Sequence, residues 1–222
     1  MDQILVYGDS LSWGIIPGTR GRLPFSKRWP GVLEIELQRR ALQVRIIEDC
    51  LNGRRTVLDD AVKPGRNGLI GLEQRIEVNS PLAMVIVMLG ANDFQSGHSF
   101  TAGDTAQGLG KLVDAIRRAP IEPGIHVPGV LLVAPPQLQV SRGPLAAKFV
   151  NAEAKSAGLT NAIRDVALEM GCEFFDAGSV TSTSVVDGVH LDESQHHTLG
   201  IALADVVARI DLACRRSING LR

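Results

Sequence analysis

The chain has 222 residues, of which 45% are hydrophobic and 21% charged, and its formal net charge is −1. This length suits one α/β domain, which we expect to span residues 1–222, and the composition excludes a disordered or fibrous protein. A charge so close to zero gives no electrostatic reason to expect nucleic acid or an anionic membrane surface as a partner.

A signal peptide consists of a basic stretch, a long apolar run and a cleavage site of small residues, and the N-terminal segment does not show this pattern. The sequence therefore predicts no signal peptide and a cytoplasmic location. The longest nearly uninterrupted apolar run, Leu82–Leu89, is far shorter than the roughly 18 residues that cross a membrane as a helix. The cysteines Cys50, Cys172 and Cys214 have no close spacing. We therefore expect inert thiols and no bound metal.

Short apolar runs alternate along the chain with longer segments of helical periodicity. We predict strands over five runs that are apolar on both faces: Ile4–Tyr7, Val44–Ile47, Met84–Leu89, Val130–Val133 and Glu173–Phe175. We predict helices where apolar residues recur every three or four positions: Trp29–Arg40, Leu69–Val78, Ala106–Arg118, Asn151–Met170 and Glu193–Cys214. Strands buried on both faces are typical of a parallel sheet between two helix layers. The sequence therefore predicts a three-layer α/β/α sandwich that binds ligands beyond the carboxyl ends of its strands.

The first candidate for chemistry is Ser10, which directly follows the first predicted strand in Gly8-Asp9-Ser10-Leu11. This position is where an α/β sheet exposes reactive groups. All three residues of Gly-Asp-Ser are also ordinary turn and cap residues, so this motif alone supports a simple strand-to-helix turn equally well.

A second motif, Asp187-Gly188-Val189-His190, lies near the other end of the chain. A serine hydroxyl becomes a good nucleophile only when a base removes its proton, and a histidine base needs a carboxylate to fix its tautomer. Asp187 and His190 are close enough in the sequence for the carboxylate to bind one ring nitrogen while the other faces a serine. Together with Ser10, they form a candidate catalytic triad.

A third group of residues follows the other strands. Acyl transfer places negative charge on a carbonyl oxygen, and hydrogen-bond donors that face this oxygen accelerate the reaction. The candidates are the side-chain amide of Asn92 in Gly90-Ala91-Asn92-Asp93 and the backbone NH groups of Gly53 and Ser10. Judged alone, each of these segments is more simply a turn.

These motifs together resemble the SGNH, or GDSL, hydrolases, whose four sequence blocks supply Ser, Gly, Asn and His in this order. The resemblance covers the chain from Ile4 to about Ala204. It implies a flavodoxin-like sandwich with about five parallel strands and no cofactor. It also implies that Ser10 is the nucleophile, that His190 is the base and Asp187 its partner, and that Ser10, Gly53 and Asn92 form the oxyanion hole.

Further segments resemble one branch of this family, the bacterial arylesterases and acyltransferases. They are Ser10–Gly14, Arg28–Leu33, Arg66–Gly68 and Phe175–Val180. This resemblance implies a serine esterase that cleaves short-chain aryl or alkyl esters, with acyl transfer to alcohols or peroxide as a further activity. It also implies that the chain forms a homo-oligomer and that the molecule it binds is a small ester. The loop from Gln137 to Phe149 departs from the branch pattern.

Two other functions stay open: a carbohydrate acetyl esterase, which the same triad serves, and a binding module that has kept the fold without catalysis. Trp13 and Ile15 are candidates to line the acyl pocket, although Trp13 fits core packing equally well. His196 and His197 are expected at the surface, since no carboxylate stands at metal-ligand spacing from them. The pair Arg54 and Arg55 is expected to be solvated.

Overall fold

The computed structural model describes residues 1–219, and side chains as far as residue 210. Five parallel strands form one sheet in the order β2-β1-β3-β4-β5. The strands are β1 Asp2–Gly8, β2 Val44–Cys50, β3 Met84–Met88, β4 Gly129–Ala134 and β5 Glu173–Asp176. Each lies within three residues of a predicted strand at both ends. The apolar runs of β1, β3 and β4 form the buried core of the sheet. The edge strands β2 and β5 are partly exposed, so they are not buried on both faces as expected.

The order of the strands places a topological switch between β1 and β3. The chain leaves β1, forms β2 on one side, and returns to add β3 on the other side of β1. At such a switch the loops at the carboxyl ends of the two strands diverge and leave a crevice. Gly8, at the end of β1, pairs with Met88, at the end of β3, so both loops begin at the same level.

The helices confirm the predicted α/β/α sandwich. They are α1 Ser10–Trp13, α2 Trp29–Arg39, α3 Leu72–Asn79, α4 Ala102–Arg118, α5 Ala152–Lys155, α6 Leu159–Glu169 and α7 Glu193–Asn219. Helix α2 packs against α7, whereas α4 packs against α3 and α6. Within residues 1–219, no helix is both long and apolar enough to cross a membrane.

The single helix predicted over Asn151–Met170 is wrong, because the chain forms α5 and α6 instead. The break contains Gly158, whose φ of 82° is left-handed and cannot continue a right-handed helix. Helix α4 begins at Ala102, four residues before its predicted start. Thr101 and Asp104 form a capping box there, which satisfies backbone NH groups that apolar periodicity does not detect.

Candidate active site

Ser10 is the first residue of α1 and lies at the carboxyl end of β1, an interior strand of the sheet. The Asp9 carboxylate caps this short helix by accepting a hydrogen bond from the Leu11 NH at 2.9 Å. A Cβ on Gly8 would lie 2.4 Å from Ser12 Oγ, so the turn between strand and helix is tight enough to require glycine. Ser10 is buried, with 6% of its surface exposed.

The structure brings Ser10, His190 and Asp187 together. Ser10 Oγ lies 3.1 Å from His190 Nε2, and His190 Nδ1 lies 2.7 Å from Asp187 Oδ2. All three side chains are buried. With a proton on Nδ1, the ring would present an unprotonated Nε2 to the serine hydroxyl. In this geometry the imidazole can accept the hydroxyl proton while the carboxylate orients the ring.

The Asp187 carboxylate is stabilised in its charged form. Burial raises its pKa, but hydrogen bonds from the His190 ring and from the backbone NH groups of His190 and Val189 outweigh this effect and hold the pKa at about 2. The two backbone bonds, at 2.9 Å and 3.0 Å, both reach Oδ1 and leave Oδ2 for the ring. The carboxylate is therefore ionised throughout the range in which histidine titrates.

The loop that carries Asp187 and His190 is closed by its own backbone. The Gly188 NH donates to the Ser184 carbonyl at 2.8 Å, and the Ser184 NH donates to the His190 carbonyl at 2.7 Å. Gly188 has a φ of 77°, and a Cβ there would lie 2.5 Å from the Val140 carbonyl oxygen. Only glycine fits this position without a shift of the backbone.

Asn92 lies in a 3₁₀ turn, Ala91–Phe94, directly after β3. Its Nδ2 donates to Asp9 Oδ2 at 2.8 Å, and its Oδ1 accepts from Gln95 Nε2 at 2.7 Å. Burial raises the pKa of Asp9 to about 6, although hydrogen bonds from Leu11 and Asn92 lower it. The sequence predicted Asn92 beside the nucleophile turn but not these two partners. The three-residue spacing of Asn92 and Gln95 in a tight turn was the available signal.

Gly53 follows β2 with a left-handed φ of 83°. Its loop is tied to the end of β1, since the Leu51 NH donates to the Gly8 carbonyl at 3.0 Å. Arg54 Nη1 donates to the same carbonyl at 3.0 Å, and its Nη2 pairs with Asp49 at 2.6 Å. The Gly53 segment therefore starts beside the turn that holds Ser10.

The prediction that Arg54 and Arg55 are solvated is wrong, as each is 4% exposed. The Arg54 guanidinium stacks over Tyr7, 3.9 Å from the ring centroid. Arg55 donates to the Asp59 carbonyl and pairs with Asp60. Carbonyl and carboxylate acceptors bind both guanidinium groups inside the protein, which offsets much of the cost of removing them from water. Among the described residues, Arg55 Nε alone of these guanidinium nitrogens is buried without a hydrogen-bond partner.

The surface location predicted for His196 is also wrong, whereas His197 is exposed as expected. His196 lies on α7 and is fully buried against the start of α2, where its Nδ1 accepts a hydrogen bond from the Trp29 NH at 3.2 Å. Burial lowers its pKa to about 3, with smaller effects from His190 and Arg28 in the same direction. The ring therefore stays neutral in the folded protein at ordinary pH.

Trp13 ends α1 and is half-buried beneath the Arg22 guanidinium, which lies 4.6 Å from the ring centroid. Ile15 is buried and forms a bridge with Arg22. Their role in an acyl pocket stays a prediction.

Among the described side chains, no three His, Cys, Asp or Glu residues cluster closely enough to hold a metal ion. Cys50 and Cys172 are free thiols, and the Cys214 side chain lies outside the described residues.

Comparison with known proteins gives a consistent result. A family model described as GDSL-like lipase/acylhydrolase matches residues 6–198. The aryl esterase of M. smegmatis superposes with a TM-score of 0.89 at 35% identity, covering 94% of this chain and 99% of that one. A carbohydrate acetylesterase from Sinorhizobium meliloti superposes with a TM-score of 0.89 at 36% identity, covering 95% of this chain and 100% of its own. For a putative arylesterase from Agrobacterium tumefaciens the TM-score is 0.86 at 40% identity, with the same coverage of 95% and 100%. A comparison with curated proteins finds no match.

Proposed function

The chain belongs to the GDSL-like lipase/acylhydrolase family, and from this membership we propose that it is a serine esterase that hydrolyses short-chain acyl esters through an acyl-Ser10 intermediate. The observation that supports the proposal best is the continuous contact from Ser10 Oγ through the His190 ring to the Asp187 carboxylate, with distances of 3.1 Å and 2.7 Å. A serine in such contact with a neutral imidazole is an activated nucleophile.

In the proposed reaction, His190 Nε2 takes the Ser10 hydroxyl proton while Oγ attacks the ester carbonyl carbon. The carbon–oxygen bond to the leaving group then breaks, and the alcohol or phenol departs with the proton from Nε2. Water attacks the acyl-serine in the same way, giving up a proton to His190 and releasing the carboxylic acid and free Ser10. The Asp187 carboxylate stabilises the imidazolium in both halves.

The negative oxygen of each tetrahedral intermediate needs donors, and we assign them to the backbone NH groups of Ser10 and Gly53 and to Asn92 Nδ2. Three observations support this assignment. Ser10 is the first residue of α1. Asn92 donates a hydrogen bond to the carboxylate of Asp9, the residue before Ser10. The segment that leads to Gly53 is hydrogen-bonded to Gly8. These loops follow β1, β3 and β2, which are neighbours in the sheet.

A carbohydrate acetyl ester is the second candidate substrate. It is favoured by the similarity to the Sinorhizobium meliloti carbohydrate acetylesterase, which covers nearly the whole of both chains. Both candidates share the acyl-serine chemistry and differ only in the leaving group. Acyl transfer to an alcohol or peroxide would use the same intermediate with a different acceptor. Homo-oligomeric assembly and a cytoplasmic location stay predictions from the sequence.

The proposal is tested by hydrolysis of para-nitrophenyl esters from acetate to octanoate, and of acetylated sugars, by the wild type and by Ser10→Ala. We expect turnover that needs Ser10 and is greatest on acetate, with Trp13 and Ile15 restricting the acyl pocket. Faster turnover of acetylated sugars than of para-nitrophenyl acetate would favour the second candidate. Equal rates for the wild type and Ser10→Ala on every ester would refute a serine esterase and favour a binding module.

A further inference from the structure

A chain of hydrogen bonds between four buried side chains runs from a cation to the nucleophile turn. Arg55 Nη2 donates to Gln95 Oε1 at 2.9 Å, and Gln95 Nε2 donates to Asn92 Oδ1 at 2.7 Å. Asn92 Nδ2 in turn donates to Asp9 Oδ2 at 2.8 Å. Each of the four residues is less than 7% exposed, so the chain is shielded from solvent.

The two ends of this chain determine the direction of every bond in it. A guanidinium can only donate, so the amide oxygen of Gln95 must face Arg55 and its nitrogen must face Asn92. Burial raises the pKa of Asp9 to about 6, so above this pH its carboxylate is ionised and can only accept. The nitrogen of Asn92 must then face Asp9. Both requirements select the same orientation of the Asn92 amide, and rotating this amide by 180° would break two buried hydrogen bonds.

The cation at the start of the chain is itself held in place. Arg55 Nη1 donates to the Asp59 carbonyl at 2.7 Å, and Nη2 pairs with Asp60 at 3.0 Å. The Arg55 backbone is tied to the Arg66 carbonyl by a hydrogen bond of 2.8 Å. The guanidinium can therefore act as a fixed donor to Gln95.

We infer that Gln95 and Arg55 are positioning residues, which hold Asn92 Nδ2 toward the nucleophile turn. One NH of that nitrogen is bound to Asp9, and the second NH is the donor that the proposed function directs at the reacting carbonyl oxygen. The inference rests on that function. It adds that the donor is set in place before substrate binds, as efficient electrostatic stabilisation requires.

The decisive variant is Gln95→Glu, which keeps the shape of the side chain and still accepts from Arg55. Its carboxylate faces the Asn92 oxygen, so either orientation of the Asn92 amide now places two acceptors together. We expect kcat on para-nitrophenyl acetate to fall about 10- to 100-fold with KM nearly unchanged, because the lost interaction forms in the transition state. Gln38→Glu, the same change at an exposed position on α2, is the control and should alter kcat by less than about twofold.

A double-mutant cycle separates positioning from general damage to the fold. Asn92→Ala alone should lower kcat about 10²- to 10³-fold, and adding Gln95→Glu should lower it no further, since Gln95 acts through Asn92. If Gln95→Glu lowers kcat by the same factor with and without Asn92, the inference is wrong. If Gln95→Glu does not fold, Gln95→Met, which has a similar shape and no donor, takes its place in the cycle.

The positioning role of Gln95 and the proposed esterase function can be refuted separately. A wild type with Ser10-dependent turnover and a Gln95→Glu variant as active as Gln38→Glu would overturn the positioning role alone. A wild type with no Ser10-dependent turnover on any ester would overturn the proposed function and the inference with it.

Discussion

Ser10 Oγ and His190 Nε2 lie 3.1 Å apart, although 180 positions separate the two residues in the chain. Ser10 follows the interior strand β1, whereas His190 lies in the loop that leads into α7. Helix α7 packs against α2, and at their contact Gly200 faces Val32. We therefore expect the distance between Ser10 and His190 to respond to how closely α2 and α7 approach each other.

Gly200→Ala should separate these helices and weaken the contact between Ser10 and His190. A Cβ at position 200 would lie 2.6 Å from Val32 Cβ and 2.9 Å from the Trp29 carbonyl oxygen. We expect a loss of about 1–3 kcal/mol in the free energy of unfolding from overpacking, together with a lower kcat. Urea denaturation and ester hydrolysis measure the two effects.

Gly110→Ala in α4 is the matched control, because its new Cβ would be 3.5 Å from Val166, an ordinary contact. This change should be neutral or stabilise the protein by about 0.5–1 kcal/mol, since alanine is the better helix former. Equal stabilities for the two variants would show that α2 and α7 are not tightly packed at Gly200.

Asp187→Asn tests the role assigned to the carboxylate. The amide would present an NH to His190 Nδ1 or lose its contact with the ring, and either result favours the wrong tautomer. We expect kcat to fall on the order of 10³-fold or more, with the fold retained. The Asp192 carboxylate accepts a hydrogen bond from Ser184 Oγ and lies outside the proposed triad, so Asp192→Asn should keep kcat within a few-fold. Similar losses in both variants would contradict the assignment.

His196 should make the protein sensitive to acid. Its pKa is about 3 in the folded chain against 6.5 as the ordinary value, so between these pH values the unfolded chain binds a proton that the folded chain does not. The free energy of unfolding should therefore decrease as pH falls from 6.5 toward 3, by up to about 1.4 kcal/mol per pH unit from this residue.

His196→Asn retains an acceptor for the Trp29 NH and removes the titrating ring. Urea denaturation at several pH values should give this variant a smaller decrease in stability between pH 6.5 and 4 than the wild type, whatever its stability at neutral pH. His197→Asn, at the exposed neighbour, should follow the wild-type profile. Parallel profiles for all three proteins would mean that His196 does not determine the acid sensitivity.

Arg28 should contribute much more to stability than its neighbour Lys27. Arg28 binds Glu48 with two hydrogen bonds, of 2.6 Å and 2.5 Å, and its side chain is 9% exposed. Arg28→Ala leaves the largely buried Glu48 carboxylate with Arg22, 3.3 Å away, as its remaining cationic partner. We expect a loss of about 2–3 kcal/mol in the free energy of unfolding.

Lys27 pairs with Glu193 at 2.7 Å, but both side chains are about half exposed, at 54% and 52%. Lys27→Ala should change stability by less than about 1 kcal/mol, because water solvates such a pair almost as well as the partners do. Thermal denaturation of the two alanine variants compares them directly, and a similar loss in both would contradict the argument.

Apolar runs predicted all five strands. The interior strands β1, β3 and β4 are almost entirely buried, and burial between two helix layers excludes polar residues from both faces. The edge strands β2 and β5 are partly exposed but still contain short apolar segments. The residues at which the helices begin and end were harder to predict from the sequence. The start of α4 is set by hydrogen bonds of Thr101 and Asp104, and the break before α6 by the backbone of one glycine, Gly158. Neither changes the apolar pattern from which the helices were inferred.

The order of the sequence motifs was enough to place Ser10, Asp187 and His190 together, because the carboxyl ends of parallel strands share one edge of the sheet. The polar network behind Asn92 was not predicted. Which side chain meets Gln95 depends on the path of the loop that carries Arg55, and this path has no local signature. His196 lies three positions before Leu199 on the apolar stripe of α7, a spacing that indicates burial and that the prediction of a surface position did not take into account.

The position of His190 late in the chain also bears on biosynthesis. A nascent chain that has been synthesised through β5 already contains Ser10, Gly53 and Asn92, yet it lacks both Asp187 and His190. Under the proposed mechanism such an intermediate has a serine of ordinary reactivity. Esterase activity would therefore begin only after the residues before α7 have left the ribosome and docked against the sheet, so that a stalled or truncated product would be inert.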